Sequence, residues 1–342
     1  MKLVYSDKHA QHDPQSFVVR GTRQRSTEQP ERATRLLAAA IEAGHQVVAP
    51  RGYGEAPAAT VHRPEYLDFL KVAAREWAKL PGASAEVTPN VHPARYPATY
   101  PTGLAGRAGW HQFDLAAPIG PHTWEAALAA TELAATATDL VLEGAREAYA
   151  LCRPPGHHAY SDMAGGFCFL NNSAVAARRL RGEQQRVAMV DFDVHHGNGT
   201  QGIFYERDDV LTVSIHADPN FYYPYFWGHA HEAGVGKGQG FNLNLPLPLG
   251  SPDAPWLAAG DMALARVRDF APTALVVALG LDASESDPLQ GLKVTGSGFH
   301  AMAKKIASLG LPTVLVQEGG YLSDDLGQNL VHFLKGFEEG RP

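Results

Sequence analysis

An α/β fold with a central, mostly parallel sheet flanked by helices is predicted by two observations. Four apolar runs, Glu147–Cys152, Arg186–Val190, Ala274–Leu281 and Thr313–Gln317, read as buried strands, and stretches of helical character alternate with strands along the chain. Each of the four runs then ends in a polar, Gly-rich loop. In a parallel α/β sheet the loops at the carboxyl ends of the strands converge on one crevice.

The elements follow in order. Lys2–Tyr5 reads as a first strand. Pro30-Glu31 opens an amphipathic helix over Arg32–Ala43, which Gly44 ends. Val47–Ala49 is a short strand, and Pro64–Leu80 is helical. Thr123 is expected to cap a long Ala-rich helix running toward Gly144, because a hydroxyl satisfies orphan amides there. Asn171–Gln184, Trp256–Phe270, Gly298–Leu309 and Ser323–Phe337 read as further helices. Residues 81–120, rich in Pro and Gly, and residues 217–240, with aromatics, His and Gly, read as long irregular segments. Ordered loops of that length in a compact domain usually serve function or an interface.

The densest chemistry lies in Asp191-Phe-Asp-Val-His-His-Gly-Asn-Gly199. Extended backbone alternates its side chains, so Asp191, Asp193 and His195 are expected on one face. Carboxylate and imidazole at a strand end are costly to bury unless paired or coordinated, and together they suit one cation. Leu151-Cys-Arg-Pro-Pro-Gly-His-His158 delivers two adjacent imidazoles after another strand, candidates for a metal ligand or for acid–base work. Asp282 ends the third run, and Glu318-Gly-Gly-Tyr321 follows the fourth.

Composition narrows the function. The chain has 342 residues, 45% hydrophobic and 19% charged, as in an ordinary globular protein, and one domain over residues 1–342 is expected. A formal net charge of −7 argues against a nucleic-acid partner. Two cysteines make no disulfide framework and read as reduced thiols in a cytoplasm. The first residues become charged too early for a signal peptide, and no apolar run is long enough for a membrane span.

Five pieces together resemble the histone deacetylase superfamily, and most of all its acetylpolyamine amidohydrolase branch. They are Arg153-Pro-Pro-Gly-His-His158, Gly165-Gly-Phe-Cys-Phe-Leu-Asn-Asn172, Asp191–Gln201, Leu281–Pro288 and Glu318–Tyr321. They occur in the family's order, and Val61-His62 and Glu65–Leu67 match more loosely. The resemblance implies an arginase/deacetylase-like fold and a metal-dependent amidohydrolase that removes acetyl or short acyl groups from acylated amines. Asp193, His195 and Asp282 would hold one Zn2+ per subunit, a donor set that also suits Fe2+, Co2+ or Mn2+. The resemblance makes His158 the main general base and acid, His157 its electrostatic partner, and Tyr321 the donor to the oxyanion. Asp191 would orient His157, and Asn198 stands where some relatives carry Asp. Phe167, Gly166 and Tyr223 would line a narrow substrate tunnel, with Glu285 an acid near the third ligand. Structural K+ is implied at two places: one at Asp191, Asp193, His195, Ser214 and Ile215, the other at Phe204, Arg207 and Val210.

One departure bears on the substrate. Relatives of the amidohydrolase branch carry acids in the long loop to receive a distal ammonium. Here Ala105 and Ala116 stand near those places, Asp114 is the only acid in Tyr100–Ala117, and Arg107 joins it. Acetyl-lysine and other small acyl amides therefore stand beside acetylpolyamines as substrates. A two-manganese arginase-like hydrolase needs more ligands than the chain offers. A non-catalytic binding protein on the same fold would lack a ligand or the tyrosine, and neither is missing. The resemblance further implies a homodimer, with the 81–120 segment at the interface.

Overall fold

The computed structural model describes residues 1–94, 96–183 and 186–342. The expected helix end at Gln184 lies outside the described residues. Eight strands form one sheet in the order β4 (Gln46–Val48), β1 (Lys2–Val4), β5 (Glu147–Ala150), β10 (Thr313–Gln317), β9 (Ala274–Leu279), β6 (Val187–Asp191), β7 (Val210–Ala217) and β8 (Asn242–Leu247). Every pairing in it is parallel. The four apolar runs are thus the four adjacent strands β5, β10, β9 and β6, and their carboxyl ends open side by side. A small antiparallel hairpin, β2 (Phe17–Val19) and β3 (Thr22–Gln24), stands apart from the sheet.

Alternate residues of the central strands feed two separate cores. Leu315, Leu275, Val277 and Leu279 enter one core, packed with α1 (Glu31–Glu42), α8 (Asp253–Phe270), α9 (Gly296–Ala307) and α10 (Leu326–Glu339). Val314, Val316, Ala274 and Val276 enter the other, under α5 (Thr123–Leu142) and α6 (Asn172–Glu183). A strand covered on both faces needs apolar residues on both, which is why these runs are continuous rather than alternating. The alanines of α5 keep that helix close to the sheet, and most of its residues are buried.

Thr123 does not cap α5. It is the first helical residue, its neighbour His122 is the cap, and its hydroxyl oxygen accepts from the Gly120 N–H at 2.8 Å. The segment 81–120 carries a helix, α4 (Leu104–His111), and docks through a bridge between Gln112 and Ala164. Ala217 still belongs to β7, and residues 218–240 form no helix or strand beyond a 3-10 turn at Gly236–Gly238. Shorter helices α2 (Ala56–Ala59), α3 (Pro64–Trp77) and α7 (Asn198–Phe204) complete the chain. Among the described residues no helix is long and apolar enough to cross a membrane.

Candidate active site

Three ligand-type side chains converge beyond β6 and β9. Atoms of Asp193, His195 and Asp282 all lie within 4.8 Å of one another, and all three residues are buried. His195 Nδ1 stands 3.1 Å from Asp193 Oδ1 and 3.2 Å from Asp282 Oδ2. Backbone donors hold the carboxylates from behind: Gly319 N donates to Asp193 Oδ2 at 2.8 Å, and Val194 N to Asp282 Oδ1 at 3.0 Å. Gly280 and Gly319 make this packing possible. A Cβ at Gly280 would collide with Asp193, and one at Gly319 with both Asp282 and Asp193. β6 ends at Asp191, whose Oδ2 stands 2.9 Å from His157 Nδ1, while Asp193 Oδ1 lies 3.8 Å from Nε2 of the same ring.

The two histidines after β5 stand beside this cluster. Their rings lie 4.0 Å apart, and His158 is 5.8 Å from the ring of His195. His158 Nδ1 donates to Asn198 Oδ1 at 2.6 Å, which leaves Nε2 free to take a proton. Glu318 fixes the backbone that carries both. Its Oε2 accepts from Gly156 N at 2.6 Å and His157 N at 3.0 Å, and its Oε1 from Ser173 Oγ at 2.6 Å.

Charge is concentrated here without water. Asp191, Asp193, Asp282 and Glu318 are all nearly inaccessible. Burial opposes a charged His157, but Asp193 and Asp191 outweigh it and raise that imidazole to about 10. Burial likewise opposes a charged His195, and its hydrogen bonds with Asp193 and Asp282 raise it to about 9. Burial and the charge of Asp193 push Asp282 up to about 6. Burial, then the neighbouring His157 and His195, press His158 well below its usual value, so it is neutral, with the lone pair of Nε2 open. With protein groups alone, the carboxylates must recruit protons onto histidine. Two oxygens and one nitrogen around one point fit a divalent cation better than they fit each other.

Tyr321 is buried beside the cluster. Its backbone N–H donates to Asp287 Oδ2 at 2.8 Å, its ring meets Phe167 edge-on at 5.7 Å, and the Arg32 guanidinium lies 4.7 Å over it. Arg32 also donates to the carbonyls of Gly320 and Glu318, at 2.5 and 2.7 Å. Glu28, fully buried, bonds both Arg32 and Arg153. Arg153 closes the set by donating to the carbonyls of His9 and His12.

The expected tunnel residues are also brought together. Tyr223 packs edge-on to His158 at 5.0 Å and to His195 at 5.9 Å, while Tyr222 stacks on His195 at 5.1 Å. Phe167, at φ +67°, holds a backbone conformation uncommon for a bulky residue and packs against Phe17 of the hairpin. Gly166 has φ +52°, and a Cβ there would collide with the His158 ring and the Tyr223 hydroxyl. Glu285 is exposed, its backbone bonded to Val294. Ser214 lies beside Asp191 in the β6–β7 register, with Oγ 2.8 Å from His216 Nδ1. Ile215 is the next residue of β7, which Val210 begins, and the Phe204 carbonyl accepts from Arg207 N at 2.9 Å. Arg107 donates to the Tyr100 hydroxyl.

Residues 26–337 match the model of the histone deacetylase domain. The chain belongs to that family. It is 44% identical to acetylpolyamine amidohydrolase 1 of Pseudomonas aeruginosa, covering 99% of each chain. It is 46% identical to the acetylpolyamine amidohydrolase of Burkholderia pseudomallei, covering 98% of each. The crystal structure of the acetylpolyamine aminohydrolase from Burkholderia pseudomallei superposes with a TM-score of 0.96 at 45% identity over the whole of both chains. Within the family frame, the roles of Glu28, Arg32, Glu318, Asp287, Asp114 and Tyr222 went unread in the sequence. Glu318 sits inside a motif already singled out, and a buried strand running into an acid was its signal. Glu28 and Arg32 carry only an i, i+4 spacing, with their partners far along the chain.

Proposed function

We propose that this chain is a metal-dependent amidohydrolase that releases acetate from acetylated polyamines. The convergence of Asp193, His195 and Asp282 beside the neutral His158 carries the reading, and the names of the similar amidohydrolases support the substrate class. One Zn2+ per chain is the proposed ion, with Fe2+, Co2+ or Mn2+ as possible substitutes. Bound there, it would acidify a water and polarise the amide carbonyl. His158 Nε2 then takes the proton of the attacking water and returns it to the leaving amine. Its Nδ1–H stays on Asn198, which holds the tautomer. His157, held by Asp191, places a positive charge beside it. Tyr321 donates its hydroxyl to the developing oxyanion, its ring held between Phe167 and Arg32. Phe167 and Tyr223 flank a thin alkyl chain and exclude water from it.

Structural K+ at the two carbonyl clusters, a homodimer bordered by residues 81–120, and a reducing cytoplasmic setting complete the proposal; both cysteines are buried and unpaired. Metal analysis with acetate release from acetylputrescine, acetylcadaverine, acetylspermidine and acetyl-lysine peptides tests it. One metal per chain and the highest kcat/KM on an acetylpolyamine are expected. Two metals per chain, or no acetate from any of these amides, would overturn it.

A further inference from the structure

Asp114 sits where three segments meet. Its Oδ2 accepts from the Tyr223 hydroxyl at 2.6 Å and from Gly166 N at 3.0 Å, and its Oδ1 accepts from Ala116 N at 2.9 Å. The neighbouring residues reinforce the same joint. Phe113 N donates to the Ala164 carbonyl at 2.9 Å, and Ala164 N to the His111 carbonyl at 2.8 Å. The Phe113 ring covers Gly165 so closely that a Cβ there would collide with it, and it meets Trp227 edge-on at 5.9 Å. Phe113 and Asp114 thus grip both glycines of Gly165-Gly166 and, through Trp227 and Tyr223, the aromatic loop.

The joint lies behind the reacting groups. Tyr223 presents its ring edge to His158 and His195, and its phenol oxygen reaches back to Asp114. Gly166 immediately precedes Phe167, whose ring reaches Tyr321. One carboxylate therefore holds Tyr223 by its side chain and Gly166, the residue before Phe167, by its backbone. Three donors already occupy that carboxylate, so it works as a strut of the wall. A hydrogen bond to a charged acceptor is stronger than a neutral one, which suits it to fixing two loops against each other.

We propose that Asp114 is a positioning residue that sets the width of the substrate slot by pinning Tyr223 and the Gly166–Phe167 backbone. The inference rests on the proposed amidohydrolase reading of the same site, and it assigns part of the selectivity for thin acylated amines to the 81–120 segment of the same chain.

The test is a double-mutant cycle of Asp114→Ala and Tyr223→Phe, which keeps the ring and removes only the hydroxyl. Metal content should stay at the wild-type level in all four proteins. Asp114→Ala should raise KM for an acetylated diamine about tenfold while kcat falls less than threefold. Its preference for the acetyl compound over a bulkier pivaloyl analogue should shrink by a similar factor. Tyr223→Phe should do part of the same, and should add nothing once Asp114 is gone. Equal losses from Tyr223→Phe in both backgrounds, or unchanged selectivity in Asp114→Ala, would overturn the proposal. The same cycle is read in thermal unfolding. If the wild type releases no acetate, the amidohydrolase reading fails, and the unfolding cycle still decides whether the two residues are coupled. Additive shifts there would remove the strut.

Discussion

At the scale of single residues, the proposed mechanism separates groups that would hold a cation from groups that would move protons. Asp193→Ala, His195→Ala and Asp282→Ala should each lose metal and activity together, because each removes one of three converging donors. Full metal content and full rate in Asp282→Ala would remove it from the ligand set. Tyr321→Phe should keep its metal and lower kcat by about 10²–10³-fold, as when one oxyanion donor is lost; metal analysis beside steady-state kinetics separates the two classes. Gly319→Ala tests the packing behind the ligands. Its methyl would enter the space of the Asp282 and Asp193 carboxylates. We expect lost metal binding with the fold retained, read by metal analysis and circular dichroism. The three converging donors were legible in the sequence because acids and histidines ended buried strands. The two glycines were not, since nothing local marks a residue that must be small for the sake of a side chain many positions away.

At the scale of elements, the sequence reading found the strands that are apolar on both faces and passed over those that alternate. In β7, Thr212, Ser214 and His216 interleave with Leu211, Val213 and Ile215, and in β8 Asn242 and Asn244 do the same before Pro246. β8 is the sheet edge, where a proline is tolerated. α7 was hidden by its glycines, which read as a turn. Gly199 and Gly202 lie against the Ala159 carbonyl and the Tyr160 ring, so close packing, rather than helix propensity, selects them. The residue just before α6 offers a pH test. Asn171 N donates to His62 Nε2 at 2.9 Å, so His62 must be neutral in the folded state, and burial lowers it to about 4. An unfolded histidine near 6.5 binds its proton first. The stabilisation from neutral His62 is therefore present above about pH 6.5 and is lost as the pH falls toward 4, an effect on the order of 3 kcal/mol. His62→Gln, whose amide oxygen can accept the same bond, should flatten the decline of chemical-denaturation stability over that interval. An unaltered slope would contradict a neutral, accepting His62.

At the scale of the whole molecule, the proposed assembly makes its own prediction. Tyr96, Phe221 and Phe226 are 83%, 71% and 74% exposed, an apolar surface on the two irregular segments that a second copy would cover. Light scattering should give a dimer or a pair of dimers. Shortening residues 84–112 should weaken it and relax the size limit, so that an acetylated histone gains on small amines. A monomer that deacetylates whole histones as fast as small amines would refute both the assembly and the slot. A different consequence follows from the strand order. β10 follows every other strand of this sheet in the sequence, yet it lies in the middle of the sheet, between β5 and β9. Until residues 313–317 emerge, the two halves of the sheet present open inner edges, and Gly319, Gly320 and Tyr321 are not there for the earlier ligands and Arg32 to meet. A nascent chain must therefore wait, with apolar strands unpaired, until β10 has emerged. Translation stalled short of β10 would yield an adhesive fragment in need of a chaperone, rather than a weakly active enzyme.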